Sequence, residues 1–228
     1  MALIEDAVGR RKDQTPSGYT RLFGNAEVGN LMSRAHGACI SQGIELEEQI
    51  YTRTKKINDF DEFIKNLHDQ KAGVWVARTA QIKVPKGIPK SDFIAFDLTK
   101  GKGYVIELKD GDQFDTKKSE GEAIALHKFV NYIPEVIPKF PFNGYICSFN
   151  ANTKEEVFEG LKGKFEMDEV LTGRELCSLL EIDYDDITRA RQNDQQSNLS
   201  YFVDRVSEID PVVDAPKPPS QGLGGPDR

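Results

Sequence analysis

The sequence lacks the features of membrane-spanning, exported and disulfide-stabilised proteins. No apolar run in its 228 residues approaches the roughly 20 residues that a membrane helix needs. The N-terminal segment has no apolar signal-peptide core, so we expect a cytoplasmic protein with no membrane partner. The three cysteines (Cys39, Cys147 and Cys177) lie far apart without C-x-x-C spacing, which argues against a disulfide framework or a cysteine zinc site.

The sequence also has few histidines and no overall excess of positive charge. The three histidines show no paired metal-ligand spacing. The net charge of −7 argues, as a whole-chain value, against a nucleic-acid partner. However, residues 71–118 carry ten basic and six acidic side chains, a local net charge of +4. A nucleic acid would therefore have to lie against this middle segment.

The order of periodic segments predicts an α/β protein. Residues 27–57 and 59–68 have helical patterns, and Gly43 is expected to divide the first into two pieces. The segments 74–84, 92–98, 103–109 and 145–149 are β-like, and Pro134 is expected to end a helix over 115–133. Because the strands 92–98 and 103–109 are apolar at almost every position, we expect helices on both faces of a mixed sheet.

The predicted domain organisation has four parts. Residues 1–26 form an irregular arm, 27–152 the α/β core, 153–209 a helical C-terminal extension, and 210–228 a Pro/Gly-rich disordered tail. Two capping-box patterns, Thr153-x-x-Glu156 and Thr172-x-x-Glu175, support helices in the extension.

Three polar residues are expected to meet at one end of the hairpin formed by strands 92–98 and 103–109. If Lys100 and Gly101 form a two-residue turn, Asp92 faces Lys109, and Ile94 faces Glu107. Asp92, Glu107 and Lys109 then share one face, and a four-residue loop preserves this parity. Asp97 lies on the opposite face; it would replace Asp92 only under another register, and an edge or salt-bridge role is preferred for it.

Two adjacent carboxylates on an apolar sheet repel each other, and one of them would be protonated unless a cation lies between them. Their oxygens suit Mg²⁺, which prefers few carboxylates and several waters. A bound Mg²⁺ can polarise a phosphodiester and lower the pKa of its own water, while Lys109 can hold the attacking water or neutralise developing charge. The alternative interpretation is a structural salt bridge among Asp92, Glu107 and Lys109.

This pattern resembles the PD-(D/E)xK nuclease superfamily. Lys90-Ser91-Asp92 corresponds to the first half of the motif, with Ser91 where the family usually has proline, and Glu107-Leu108-Lys109 corresponds to the second half. The resemblance implies a restriction-endonuclease-like core of order α-β-β-β-α-β. Gly43-Ile-Glu-Leu-Glu47 is similar to the context in which type II restriction endonucleases add a glutamate from the first helix. Glu47 is therefore a fourth candidate, with Glu45 and Glu48 as rivals and a solvated helix face as the alternative.

The resemblance implies a type II restriction endonuclease that hydrolyses duplex DNA with Mg²⁺ and leaves 5′-phosphate ends. Asp92, Glu107 and the Leu108 carbonyl would hold the metal, and Lys109 would position the water. A homodimer and a cognate DNA methyltransferase are expected partners. The alternatives are a repair or recombination nuclease of the same superfamily, or a non-catalytic α/β binding protein.

Candidate DNA contacts lie in three places along the chain. Lys90 begins the first motif half, and Lys117 and Lys118 lie in the first turn of the helix after the hairpin, where they could meet a phosphate. Gln192, Asn193 and Gln195 belong to a polar stretch, residues 192–198, whose amides could pair with adenine. An ordinary polar linker is the alternative interpretation of that stretch.

Overall fold

The computed structural model describes residues 2–8, 17–111, 116–138 and 140–209. The helices are α1 (Gly18–Phe23), α2 (Ala26–Arg53), α3 (Phe60–Lys65), α4 (Thr116–Val136), α5 (Lys154–Gly160), α6 (Gly173–Leu179) and α7 (Tyr184–Ser207). The strands are β1 (Lys55–Lys56), β2 (Val74–Arg78), β3 (Phe93–Asp97), β4 (Lys102–Lys109), β5 (Phe142–Ser148) and β6 (Val170–Thr172). In the described residues, no helix is both long enough and apolar enough to cross a bilayer.

Six strands form one mixed sheet in the order β1-β2-β3-β4-β5-β6. The pairs β2–β3 and β3–β4 are antiparallel, whereas β1–β2, β4–β5 and β5–β6 are parallel. The prediction of a mixed α/β sheet is therefore confirmed. The sequence patterns missed β1 and β6, which have only two and three residues.

Helices cover both faces of the sheet, as predicted. On one face, Ile94, Phe96 and Val105 pack in a cluster with buried residues of α3, α4 and α5. On the other face, Phe93, Ala95 and Ile106 pack with buried residues of α2, α6 and α7. The apolar character of β3 and β4 at nearly every position follows from this burial on two sides.

The β3–β4 hairpin has a register two residues away from the expected one. Phe93 pairs with Ile106 and Asp97 with Lys102, so the connection is the four-residue loop 98–101. The Asp97 carboxylate accepts hydrogen bonds from the Thr99 and Lys100 backbone N–H groups, and Gly101 adopts a positive φ of 63°. The expectation that Asp92 faces Lys109 is therefore wrong. Asp92 instead donates its backbone N–H to the Ile106 carbonyl at 3.1 Å.

Two helices continue through residues that were expected to break them. Helix α2 is uninterrupted at Gly43, because the turns that follow bury Leu46 and Ile50 completely against the sheet. Helix α4 runs past Pro134 to Val136, since buried Ile133 and Ile137 anchor both sides of the proline and Ile137 N–H still donates to the Ile133 carbonyl. Proline in the last turn removes few helical hydrogen bonds.

By contacts, the chain divides into two compact units that differ from the predicted domains. The larger unit is Ser41–Arg191, and the described residues of the smaller unit lie within 1–40 and 192–209. Helices α5 and α6 and strand β6 lie within the predicted C-terminal extension, but they belong to the larger unit. Strand β6 pairs with β5 of the predicted core. In α6 the predicted capping box of Thr172 and Glu175 is present.

The smaller unit is helical and has its own apolar cluster. Ile4, Leu31, Ala38 and Ile209 are buried in it. The segment predicted as an irregular arm contains α1, whose N-cap Ser17 accepts the Thr20 N–H. Residues 192–198 continue α7 as a helix and do not form a linker. The predicted disordered tail, 210–228, lies outside the described residues.

Candidate active site

The structure brings Asp92, Glu107 and Lys109 together at one end of the β3–β4 hairpin. The Lys109 Nζ lies 2.7 Å from Glu107 Oε1. Leu108, between these two residues in the chain, donates its backbone N–H to Asp92 Oδ2 at 2.7 Å. Asp92 is thereby fixed beside the Glu107–Lys109 pair although it does not face Lys109 across the ladder.

The Leu108 carbonyl points toward the β3 side of the strand. Successive residues of a strand direct their backbone groups to opposite neighbours. The Lys109 carbonyl accepts from Phe149 N–H on the β5 side, and the Leu108 N–H points to Asp92. The Leu108 carbonyl therefore shares the side on which the Asp92 carboxylate lies.

Burial and neighbouring negative charges raise the pKa values of both carboxylates. Burial and then the charge of Asp92 raise the pKa of Glu107 to about 7, although Lys109 opposes the shift. Burial also raises the pKa of Asp92 against the opposing effects of the Leu108 N–H and Lys109, and the charge of Glu122 adds to the rise. Burial acts to lower the pKa of Lys109, but the charges and hydrogen bonds of Glu107 and Glu122 raise it above its usual value. Bringing a cation between Asp92 and Glu107 would relieve their repulsion.

The donor set offers two carboxylates and one backbone carbonyl. Among the described residues, no group of three or more His, Cys, Asp or Glu side chains is arranged to hold a metal ion. A cation at Asp92 and Glu107 would therefore complete its coordination with water. This limited number of protein ligands is compatible with Mg²⁺, which retains several waters.

The charges of the cluster act on Glu47, one of the three glutamates considered on α2. Burial and then the charge of Asp92 raise its pKa, while Arg78 and Lys109 oppose the shift. Glu48 forms an ion pair with Arg78, and Glu45 accepts a hydrogen bond from Gln49.

Sequence reasoning missed Glu122. Its Oε1 lies 2.8 Å from the Lys109 Nζ. The sequence contains a signal for this position, because Glu122 occupies the helical stripe of Leu126, Phe129 and Ile133, all of which are buried. A carboxylate on an apolar stripe needs a polar partner, and Lys109 provides it.

Asp97 lies at the opposite end of β3 and takes no part in the cluster. Its buried carboxylate binds the loop backbone and the Lys100 Nζ, the latter at 2.9 Å. Burial alone would raise the pKa of Asp97, but the Lys100 hydrogen bonds hold it below its usual value. The salt-bridge role preferred for this residue agrees with these contacts.

The candidate DNA-contacting residues are divided between the chain's two units. Lys90, Lys117 and Lys118 are exposed residues of the larger unit, and the Lys90 Nζ donates to the Ala80 carbonyl at 3.3 Å. Gln192, Asn193 and Gln195 are exposed on the part of α7 that belongs to the smaller unit. In the same stretch, the Asn198 amide binds Ile4 N–H and the Ala2 carbonyl, which gives it a structural role.

Comparison with known proteins identifies the family. No family model matches the chain, and no solved structure matches it. The type II restriction enzyme HhaII of Haemophilus parahaemolyticus is 39% identical over 222 residues, which cover 93% of this chain and 96% of that protein. Identity at this level over nearly the full length of both proteins means that this chain belongs to the type II restriction enzymes, a family of site-specific deoxyribonucleases.

Proposed function

We propose that this restriction enzyme hydrolyses duplex DNA with Mg²⁺ at a PD-(D/E)xK-type site made of Asp92, Glu107 and Lys109. The observation that carries the proposal is the convergence of these three residues through the Lys109–Glu107 and Leu108–Asp92 hydrogen bonds. The element order α2, β2, β3, β4, α4, β5 supports a restriction-endonuclease-like core, since it follows the α-β-β-β-α-β order of that fold. Family membership favours this function over a repair nuclease or a non-catalytic binding protein.

The metal would be held by Asp92, Glu107 and the Leu108 carbonyl. Support comes from the raised pKa values of both carboxylates, because a group of buried, mutually repelling anions gains most from a bound cation. When bound, Mg²⁺ would polarise the phosphodiester and lower the pKa of a coordinated water.

The remaining chemistry belongs to the chain's own side chains. Lys109 donates from its Nζ to the attacking water and orients it toward phosphorus, and its positive charge offsets the charge that develops on the phosphoryl oxygens. The water oxygen bonds to phosphorus as one of its protons passes to the solvent, and the bond from phosphorus to the 3′ oxygen breaks as that oxygen takes up a proton from the solvent, which leaves a 5′-phosphate and a 3′-hydroxyl. Glu47 on α2 assists with the metal or with Lys109, and its pKa is affected by the charges of both Asp92 and Lys109.

Duplex cleavage requires a cut in each strand, whereas the described residues of each chain supply one such cluster. A homodimer on a two-fold symmetric site provides the second cut. Lys90, Lys117 and Lys118 are proposed to contact phosphates, and Gln192, Asn193 and Gln195 to contact base edges from the exposed surface of α7. A cognate DNA methyltransferase would protect the host sites.

The proposal is tested by incubating the purified chain with plasmid DNA from a methylation-deficient host. We expect discrete fragments with Mg²⁺ and none with EDTA. We also expect the fragment ends to accept a labelled phosphate from polynucleotide kinase only after phosphatase treatment, because the 5′ ends already carry phosphate. Equal cleavage with EDTA, or 5′-hydroxyl ends, would contradict the proposed chemistry.

The proposed homodimer is tested by light scattering of the purified protein, which should give the mass of two chains.

A further inference from the structure

The Lys109 ammonium is held between two carboxylates that come from different elements. Its Nζ lies 2.7 Å from Glu107 Oε1 on β4 and 2.8 Å from Glu122 Oε1 on α4. The exposed fractions of the three side chains are small: 18% for Lys109, 14% for Glu107 and 21% for Glu122. Because an ammonium has three donor hydrogens, both hydrogen bonds form at once and leave one donor.

The two carboxylates have different relations to the metal proposed above. Glu107 is a proposed metal ligand, so its oxygens are shared between the cation and Lys109. If Glu107 were the only anchor, the ammonium and the metal would compete for the same carboxylate. Glu122 gives Lys109 a second anchor that does not depend on how Glu107 is used.

The position of Glu122 is fixed by packing. Leu126, Phe129 and Ile133, which follow it on the same helical stripe, are buried in the cluster beneath the sheet. They hold α4 against the strands, so the Glu122 carboxylate is presented to Lys109 from a rigid element. A side chain on a rigid helix orients its partner with little loss of entropy.

From these contacts we propose that Glu122 is a positioning residue, which keeps the Lys109 ammonium in place when Glu107 binds the metal. The inference rests on the proposed function of Asp92, Glu107 and Lys109. Glu122 acts through Lys109 and does not itself contact the metal or the DNA. Its loss should therefore matter only in a chain that retains Lys109.

A double-mutant cycle with Lys109→Ala tests this dependence. Single-turnover cleavage, with enzyme in excess over DNA, should fall about 10–100-fold in Glu122→Ala, as for other residues that orient a reactive group. Glu122→Gln should lose less, because its amide oxygen still accepts from the ammonium. In the Lys109→Ala background, Glu122→Ala should cause no further loss. Glu135→Ala, at an exposed position of the same helix, is the matched control and should retain wild-type cleavage.

Calcium binding without DNA, measured by titration calorimetry, gives a readout other than cleavage. Glu122→Ala should weaken Ca²⁺ binding, because the released Lys109 ammonium then competes for Glu107. In the Lys109→Ala background, Glu122→Ala should not weaken Ca²⁺ binding any further. A loss that persists without Lys109, in binding or in cleavage, would overturn the inference, because Glu122 would then act on the site independently of Lys109, for instance through the effect of its charge on Asp92 and Glu107.

The two proposals fail in different ways. Wild-type cleavage by Lys109→Ala would refute the proposed site itself. Strong loss in Lys109→Ala, together with wild-type cleavage and Ca²⁺ binding in Glu122→Ala and Glu122→Gln, would refute the positioning role alone. Thermal unfolding of each variant establishes that it is folded, and Glu122→Gln preserves the test if the alanine variant is not.

Discussion

Glu107 is the residue whose ionisation links the site to the stability of the chain. Burial and the charge of Asp92 raise its pKa from 4.5 to about 7. A carboxyl group with a raised pKa stabilises the folded state fully below its unfolded value, and this contribution is lost as the pH rises through the folded value. Without a bound metal, the ionised Glu107 carboxylate therefore destabilises the folded state most in neutral and alkaline solution.

The raised pKa of Glu107 predicts that the stability of the chain depends on pH. In EDTA, wild type should lose stability relative to Glu107→Gln between about pH 5 and pH 8, because only the wild-type carboxyl ionises in that window. The measurement is the melting temperature of both proteins at each pH. Each kcal/mol corresponds to about 2–4 °C for a chain of this size. Parallel pH profiles for the two proteins would show that Glu107 is not perturbed.

At the scale of elements, the β3–β4 loop determines where the site residues lie relative to one another. The buried Asp97 carboxylate binds the Thr99 and Lys100 N–H groups and the Lys100 Nζ. These contacts fix the four-residue connection and hence the pairing of Phe93 with Ile106. The loop end of the hairpin thus sets the strand register at the end that carries the proposed site.

Asp97→Ala should lower the free energy of unfolding by about 1–2 kcal/mol, as does loss of a carboxylate that caps backbone N–H groups. The control is Lys100→Ala, which keeps both backbone hydrogen bonds and removes only an exposed lysine, so its effect should be smaller. Urea unfolding of both variants measures the difference. Equal stability of Asp97→Ala and wild type would contradict this account of the loop.

The sequence predicted these elements to different extents. Apolar residues at nearly every position of β3 and β4 predicted the hairpin and the covering helices. The alternation of side chains along the two strands predicted their shared polar face. The register did not, because it depends on a side-chain contact of Asp97 that no periodicity reveals. The helix breaks predicted at Gly43 and Pro134 do not occur, since burial of Leu46, Ile50, Ile133 and Ile137 outweighs the local preferences of glycine and proline. Glu122 was missed because its partner lies 13 positions away in a separate element.

For the molecule as a whole, charge distribution constrains how DNA is bound. The net charge is −7, yet residues 71–118, which contain β2, β3, β4 and the proposed site, have a net charge of +4. Two of the six acidic residues there are the proposed metal ligands, whose charge a cation would offset. An acidic chain can therefore bind DNA through a limited basic surface.

DNA affinity should accordingly depend strongly on a divalent ion. Fluorescence anisotropy with a duplex that contains the cleavage site should show weak binding in EDTA and at least about tenfold tighter binding in Ca²⁺, because the cation offsets the negative charges of Asp92 and Glu107 near the phosphate. Asp92→Asn, whose amide oxygen can still accept the Leu108 N–H, should bind more tightly in EDTA than wild type. Identical wild-type affinities in EDTA and Ca²⁺ would place the metal elsewhere.

The most direct test of the proposed active site compares Lys109→Ala with Lys100→Ala. Lys109 lies at the end of β4 and Lys100 in the loop before it, and both lysines pair with a carboxylate. Of the two, Lys109 lies beside Asp92 and Glu107. Mg²⁺-dependent cleavage should fall at least about 100-fold in Lys109→Ala and remain near wild type in Lys100→Ala. Full cleavage by folded Lys109→Ala would contradict the assignment of Asp92, Glu107 and Lys109 as the active site.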